Sequence, residues 1–254
     1  MSTEDASGLL ESSTFASSVY ITEYNQPVCL YAQVRAQMFA RHHKRQLFWV
    51  QAEDIPPAMH FAEYSSNELQ DLKKKWLLPT YHARKTQGIP SLLPCAQNMP
   101  YRLMSSANRQ LKDHGITKGA LIRLKAWDLH EEDLEVMKTC VDDETVLKHM
   151  PTTLFFELIE GTLKADWPDL PPNWFPLKAE HCTWSLDATS NIHITRRGFA
   201  FVPDFSTTIH SATGRTLASS IVDLEDFSAK PNPSATMKAY IALSRLVSDL
   251  MATI

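Results

Sequence analysis

Glycine is scarce in this chain of 254 residues. There are seven, Gly8, Gly88, Gly115, Gly119, Gly161, Gly198 and Gly214, and none is followed by lysine. A loop of the form G-x-x-x-x-G-K-[ST] needs that pair, because glycine amides cradle phosphates and the lysine neutralises them. That loop is absent, and so is G-x-G-x-x-G. The four cysteines, Cys29, Cys95, Cys140 and Cys182, stand far apart. They form no C-x-x-C pair or close Cys/His cluster, which argues against a zinc site and fits reduced thiols inside a cell. His181 and Cys182 are adjacent on an expected strand and so point to opposite faces, which argues against a thiol–imidazole pair. G-x-S-x-G and H-E-x-x-H are missing as well. The opening MSTEDASGLLESSTFASS has no basic segment before an apolar core, and no apolar run approaches bilayer length. The expectation is a soluble, intracellular protein with no membrane partner, nuclear if its source is eukaryotic.

Excess charge is also missing. With 25 basic and 29 acidic residues the net charge is −4, so the balance lends nucleic-acid binding no support, although a local basic groove depends on placement rather than on the sum. A 44% hydrophobic share with 21% charged residues describes a folded chain able to bury a sizeable core.

Along the chain, residues 1–17 are Ser-rich and read as a flexible tail. The run VYITE reads as a strand, closed by Tyr24-Asn25-Gln26-Pro27. A helix follows, with Leu30, Tyr31, Val34, Met38 and Phe39 at helical spacing as its expected core face. It ends on Arg41-His42-His43-Lys44-Arg45, cations where the helix dipole favours them, with a phosphate-facing patch as the alternative. LFWVQAED (47–54) reads as a strand. Ser65 and Glu68 form a capping box opening a helix through Leu69, Leu72 and Trp76. Lys73, Lys74, Lys75, Arg84 and Lys85 follow, either a solvated face or weak DNA-backbone contacts.

From residue 89 the texture turns to strands, in IPSLLPCAQNMPYRLM and ITKGALIRLKAW, with turns at Gly115 and Gly119. Residues 130–150 suggest a short helix carrying Leu134, Met137 and Val141. TTLFFELIEG is a strand, DWPDLPPNWFPL a loop and HCTWSL a strand. IHITRRGFAFVP (192–203) is a strand with Arg196-Arg197 at a possible bend, both candidate DNA contacts. A helical stretch around 204–212, a strand in SSIVDL (219–224) and a helix at 235–247 give a βαβ texture. SSIVDLED (219–226) superficially resembles a Walker B strand running into Asp223, Glu225 and Asp226, but without a phosphate loop it reads better as a buried parallel strand entering an acidic loop. The expected architecture is α/β at both ends with a mostly β segment between. Trp127, Trp167, Trp174 and Trp184 lie in that segment and are expected to pack rather than stack on bases.

Two polar segments stand out near the end. In TIHSATGRTL, Thr208, His210 and Thr213 precede Gly214, where the backbone can turn, and Arg215 and Thr216 follow. In AYIALSR, Tyr240, Ile241, Ala242 and Leu243 suit a packed helix that ends on Ser244-Arg245. Together they resemble the last two motifs of superfamily 1B DNA helicases, the RecD-like and Pif-type enzymes, and especially the helicase part of Helitron transposons. The penultimate motif there reads approximately T-x-H-K-x-Q-G-x-T, matched by Thr208, His210, Gly214 and Thr216. The final motif, Y-V-A-L-S-R, is matched by Tyr240, Ala242, Leu243, Ser244 and Arg245. The lead-in RRGFAFVPDFSTTIH and the stretch LPCAQNMPYRLMSSANRQLKDHGITKGALIRL also resemble family signatures, so the likeness spans roughly 18–254. The departures are Ser211 and Thr213 where the family has lysine and glutamine, and Lys118 where it has asparagine before the turn glycine.

The resemblance implies a second RecA-like domain with a parallel sheet, of the P-loop NTPase type, in two parts (18–104 and 193–254). A small, mostly β, SH3-like insertion at 105–192 would interrupt it. It implies that Arg245 acts as an arginine finger on a triphosphate held by another domain, and that Thr208, His210, Gly214, Thr216, Tyr240 and Ser244 couple nucleotide to DNA. ATP and Mg²⁺ would bind only when a first RecA-like domain, carrying both Walker motifs, completes the site. The chain alone is expected to hold neither and to hydrolyse no ATP. The implied partners are that domain, in the same gene or another chain, and single-stranded DNA. The implied activity is translocation and unwinding in repair or recombination. The competing expectation is a non-catalytic, transposon-derived remnant that binds nucleic acid or protein.

Overall fold

The computed structural model describes residues 18–55, 57, 65, 67–68, 71, 86–105, 109–139, 144–185, 193–223, 240–241 and 244. These fall into two compact units, one made of the residues up to Ala32 with those from Asp204 onward, the other running from Gln33 to Pro203. The cuts differ from the expected 104/105 and 192/193.

In chain order the strands are β1 (Val19–Thr22), β2 (Leu47–Gln51), β3 (Glu53–Ile55), β4 (Leu92–Ala96), β5 (Pro100–Leu103), β6 (Leu121–Asp128) and β7 (Thr145–Val146). They continue with β8 (Thr153–Leu158), β9 (Trp174–Leu177), β10 (Glu180–Ser185), β11 (His193–Gly198), β12 (Phe201–Pro203), β13 (Ser206–Thr208) and β14 (Ser220–Val222). The helices are α1 (Asn25–His42), α2 (Arg109–Asp113), α3 (Glu131–Thr139) and α4 (Ile209–Ala212). No described helix is long and apolar enough to cross a membrane.

The discontinuous unit holds a three-stranded sheet in the order β13-β1-β14, with both pairings parallel. Val19 and Ile21 point inward on β1 and meet Ile209, Ala212 and Leu217, with Val222 and Ile241 packed alongside. The stretch expected to be helical around 204–212 is instead a strand, then one helical turn. Ser206 and Thr207 are taken by pairing with β1, and only four residues remain for α4.

The contiguous unit is mostly antiparallel. Its five-stranded sheet runs β12-β5-β6-β8-β9. Period-two alternation buries Ile122 and Leu124 on β6 and Leu154, Phe156 and Leu158 on β8. Tyr101, Phe156 and Phe201 meet edge to face, with centroids 4.8–5.9 Å apart. The Tyr101 hydroxyl donates to Pro94 O and accepts from the Ala96 N–H, both at 3.1 Å, so this buried ring leaves no polar atom unsatisfied. Strand β9 lies within the tryptophan- and proline-laced stretch expected to be a loop. It pairs with β8 through Trp174, Phe175, Pro176 and Leu177, and an edge strand tolerates the proline.

Two further sheets complete this unit, β4-β2-β7 and β10-β11-β3. The expected strand 47–54 breaks at buried Ala52 into β2 and β3, which join different sheets. Likewise 192–203 divides into β11 and β12. Three of the four tryptophans of the β-rich segment show a packing role, and Trp174 is half-buried with Lys125 Nζ 5.5 Å from its ring centroid. Trp167 and Trp184 are buried, Trp127 sits edge-on to Phe48 at 4.9 Å, and Trp174 pairs with β8.

On α1 the expected core face is only partly buried, with Tyr31, Met38 and Phe39 half-buried. Leu30 and Val34 are exposed, while Ala32, Arg35, Ala36 and Ala40 are buried. The buried residues include alanines at i, i+4 and i+8, small side chains in one row along the helix. The Ser65–Glu68 capping box is present: Ser65 N–H and Oγ reach Glu68 Oε2 at 2.9 and 2.8 Å, and Glu68 N–H reaches Ser65 Oγ at 3.4 Å. Leu69, Leu72, Trp76 and Val141 lie outside the described residues, as does most of 235–247. Gly115 and Gly119 both take left-handed φ, +88° and +90°, so the turn falls on glycine itself and Lys118 needs no such conformation.

Candidate functional site

In open parallel sheets, ligands gather at the carboxyl ends of the strands. At that end of β13, Thr208 is the N-cap of α4, with extended backbone (φ −82°, ψ 156°) and a side chain that accepts from Ser211 N–H at 3.4 Å. The buried members of the segment, Ile209 and Ala212, anchor it to the core. Its polar members His210, Ser211, Thr213, Gly214 and Thr216 are exposed. Gly214 has φ +81°, and a Cβ added there would meet nothing within 4 Å. The glycine therefore serves the turn and leaves open space in front of it.

Arg215 folds back bidentately onto Asp204, at 2.9 and 3.0 Å, with both side chains largely buried. This pin fixes the turn to the strand lead-in, and no sequence spacing announced it. At the end of β14, Asp223 accepts from the Tyr20 hydroxyl at 2.7 Å, and the Tyr20 ring stacks on Tyr31 with centroids 4.5 Å apart. Replacing Thr208 by alanine should cost about 0.5–1 kcal/mol, the lower part of the N-cap range given the long bond. Urea unfolding of wild type and variant measures it.

Tyr240 is exposed, Ile241 packs against the core of this unit, and Ser244 N–H donates to Tyr240 O at 2.9 Å. Arg245 lies outside the described residues, with Ala242 and Leu243. So do Lys73, Lys74, Lys75, Arg84 and Lys85.

The arginine pair of β11 resolves into two different roles. Arg197 is partly exposed and pairs with Glu53 at 2.9 Å, so it remains at the surface. Arg196 does not. It is fully buried, with Nε and Nη2 on the two carboxylate oxygens of Asp54 at 2.8 and 2.7 Å. Its Nη1 reaches Ile89 O at 3.4 Å, and the guanidinium lies over the Trp184 ring at 5.1 Å. Arg196 is a structural ion pair and is withdrawn as a DNA contact. The two residues sit mid-strand rather than at a bend, and alternation sends Arg196 inward with Ile194 and Gly198.

Nothing supports thiolate chemistry among the described cysteines. Burial pushes the Cys29 thiol up to about 11 and raises Cys95 and Cys182 also. Cys182 is buried and donates to Thr86 O at 3.1 Å, while His181 faces outward.

A parallel α/β sheet in one unit and an antiparallel β-rich unit beside it in sequence define a mixed α/β protein with a Pif1-like helicase fold. The solved structure that carries this statement is Pif1 helicase from Candida albicans, 15% identical, with a TM-score of 0.53 over 91% of this chain and 43% of that one. Bacteroides Pif1 in complex with ADP-AlF3 and ssDNA also aligns, at 14% identity and a TM-score of 0.47, over 99% of this chain and 46% of that one. The chain thus spans less than half the length of these two helicases. No family model and no curated protein matches the sequence.

Proposed function

We propose that this chain is the C-terminal motor portion of an ATP-dependent DNA helicase, a second RecA-like domain with an SH3-like insertion at 105–192. The observation that carries the reading is the Thr208–Thr216 turn, with His210, Ser211, Thr213, Gly214 and Thr216 exposed, at the carboxyl end of a parallel sheet. It occurs in a chain whose fold follows that of a Pif1 helicase. The described residues fit a shared nucleotide site in one respect, exposed polar groups around an open turn, and they contribute no phosphate cradle of their own. ATP with Mg²⁺ would supply the driving reaction once a first RecA-like domain completes the site. On this reading Arg245 reaches the γ-phosphate, and His210, Gly214 and Thr216 link that cleft to the strand, with Tyr240 and Ser244 shaping the final helix. Lys73, Lys74, Lys75, Arg84, Lys85 and Arg197 would meet the DNA backbone. The kinship with Helitron helicases, and a place in repair or recombination, belong to the same proposal.

One observation favours the second reading, a non-catalytic, transposon-derived binding module. The positions that carry lysine and glutamine in the resembled motif are Ser211 and Thr213, and both hydroxyls are used inside the turn. Thr208 Oγ1 donates to Ser211 Oγ at 3.1 Å and Thr213 Oγ1 to Ile209 O at 3.4 Å.

Single-strand binding by the purified chain, followed by fluorescence anisotropy across a salt series, tests the DNA-facing part. Affinity should fall with salt at a log–log slope of about −0.7 per phosphate contact. The triple change of Lys73, Lys74 and Lys75 to alanine should make that slope shallower by about 2. A salt-independent affinity, or an unchanged slope in the variant, removes the basic segment from the interface.

A further inference from the structure

A second cluster of chemistry-bearing side chains lies in the contiguous unit, where α3 begins and the turn after β7 returns to meet it. His130, Glu132 and His149 each offer one donor atom, and these atoms lie within 4.8 Å of one another. The two imidazoles stack, with centroids 4.0 Å apart and planes 27° from parallel. His130 and Glu132 are exposed, and His149 is partly so.

What separates this group from a chance surface cluster is the residue behind it. Asp133 is only 2% exposed. One of its carboxylate oxygens accepts from Lys148 N–H at 2.9 Å. The other accepts from His149 N–H at 3.0 Å and faces His149 Nδ1 at 3.1 Å. A carboxylate is an acceptor, so Nδ1 carries the proton and the Nε2 lone pair is left to face away from Asp133. This is the outer-shell arrangement that fixes tautomer and orientation in metal-binding histidines. The turn itself is held at both ends, by Leu147 N–H to Trp49 O at 2.9 Å and Thr152 N–H to Asp128 O at 3.0 Å.

We propose that His130, Glu132 and His149 form a binding site for a divalent transition-metal ion of the zinc class, with Asp133 as positioning residue. The donor set, two imidazoles and a carboxylate, suits Zn²⁺ and leaves the fourth tetrahedral position to water. Bonds of about 2.0–2.1 Å place tetrahedral donors roughly 3.4 Å apart. Rotation of the exposed His130 and Glu132 side chains closes the remaining gap, while His149 stays pinned. The wide spacing of the cysteines counts against a thiolate zinc site alone. This site uses no cysteine, and His149 lies 17 residues beyond Glu132 and 19 beyond His130, so no short motif announces the full set.

The test uses the full chain, stripped of metal and titrated with Zn²⁺ by calorimetry, with Co²⁺ absorption as a second readout of tetrahedral ligation. Wild type should bind one ion here, and saturating Zn²⁺ should raise its melting temperature. His130→Ala, an exposed change that leaves the core intact, should weaken Zn²⁺ at least about 100-fold and abolish the thermal shift. Asp133→Asn should weaken it about 10–100-fold, as loss of an outer-shell partner does. His42→Ala/His43→Ala, which removes another histidine pair, should change nothing. Wild-type uptake retained in both His130→Ala and His149→Ala, or no Zn²⁺ bound by wild type at all, overturns the site.

Discussion

Asp54→Ala is expected to lower unfolding free energy by about 3–5 kcal/mol, the cost of stranding one member of a buried ion pair. Asp54 neutralises Arg196 through two charge-assisted bonds of 2.8 and 2.7 Å, and Arg196 has no exposed surface. With the carboxylate gone, the guanidinium keeps the Ile89 carbonyl at 3.4 Å and the Trp184 face but no longer the anion bound at two points. Trp184 also loses its 3.4 Å bond from Nε1 to Asp54. The doubly apolar variant Asp54→Leu/Arg196→Met should regain much of the loss, because two apolar side chains bury no charge. Guanidinium unfolding of the three proteins decides the matter. A single Asp54→Ala variant within about 1 kcal/mol of wild type would mean the pair is solvated, contrary to its burial.

Arg245→Ala should slow DNA-stimulated ATP turnover by about 10³–10⁵-fold once a phosphate-loop domain is joined to this chain. The expectation rests on the proposed function. The side chain would neutralise charge that develops on the transferred phosphoryl oxygens, so its loss raises the barrier to chemistry rather than weakening nucleotide capture. Single-strand affinity should therefore stay within about twofold, and kcat rather than KM should carry the defect. Arg245→Lys should recover little, since an ammonium cannot reproduce the planar fork. Turnover unchanged in Arg245→Ala would remove this residue from the chemistry and favour the binding-module reading.

The elements most readable from sequence were those governed by local rules. Alternation in VYITE and TTLFFELIEG, the Ser65–Glu68 box and the left-handed turns at Gly115 and Gly119 all depend on neighbours within a few residues. The failures share one cause, which is tertiary pairing. The alanine face of α1 is chosen by what packs against it, and β9 exists because β8 needs a partner. Ser206–Thr208 became strand because β1 offered an edge.

The candidate sites divide the same way. The exposed turn around Gly214 was legible from residue types at short spacing. The Asp204–Arg215 pin and the Asp54–Arg196 pair join residues 11 and 142 positions apart, and His149 joins residues 17 and 19 positions before it, so only the fold completes each group. Arg196 and Arg197 were indistinguishable as letters, yet the two-residue period of β11 buries the first and exposes the second.

Strand β1 has a temporal consequence as well. Tyr20 pairs with Ser206 and Ile221, so β1 is synthesised well ahead of both partners and waits for them before both its edges are covered. At about 5–20 residues per second that wait is roughly 10–40 s. The uninterrupted segment between its partners can condense meanwhile. An early stop anywhere before β13 would leave β1 as a bare, β-branched ribbon open to pairing with another nascent copy.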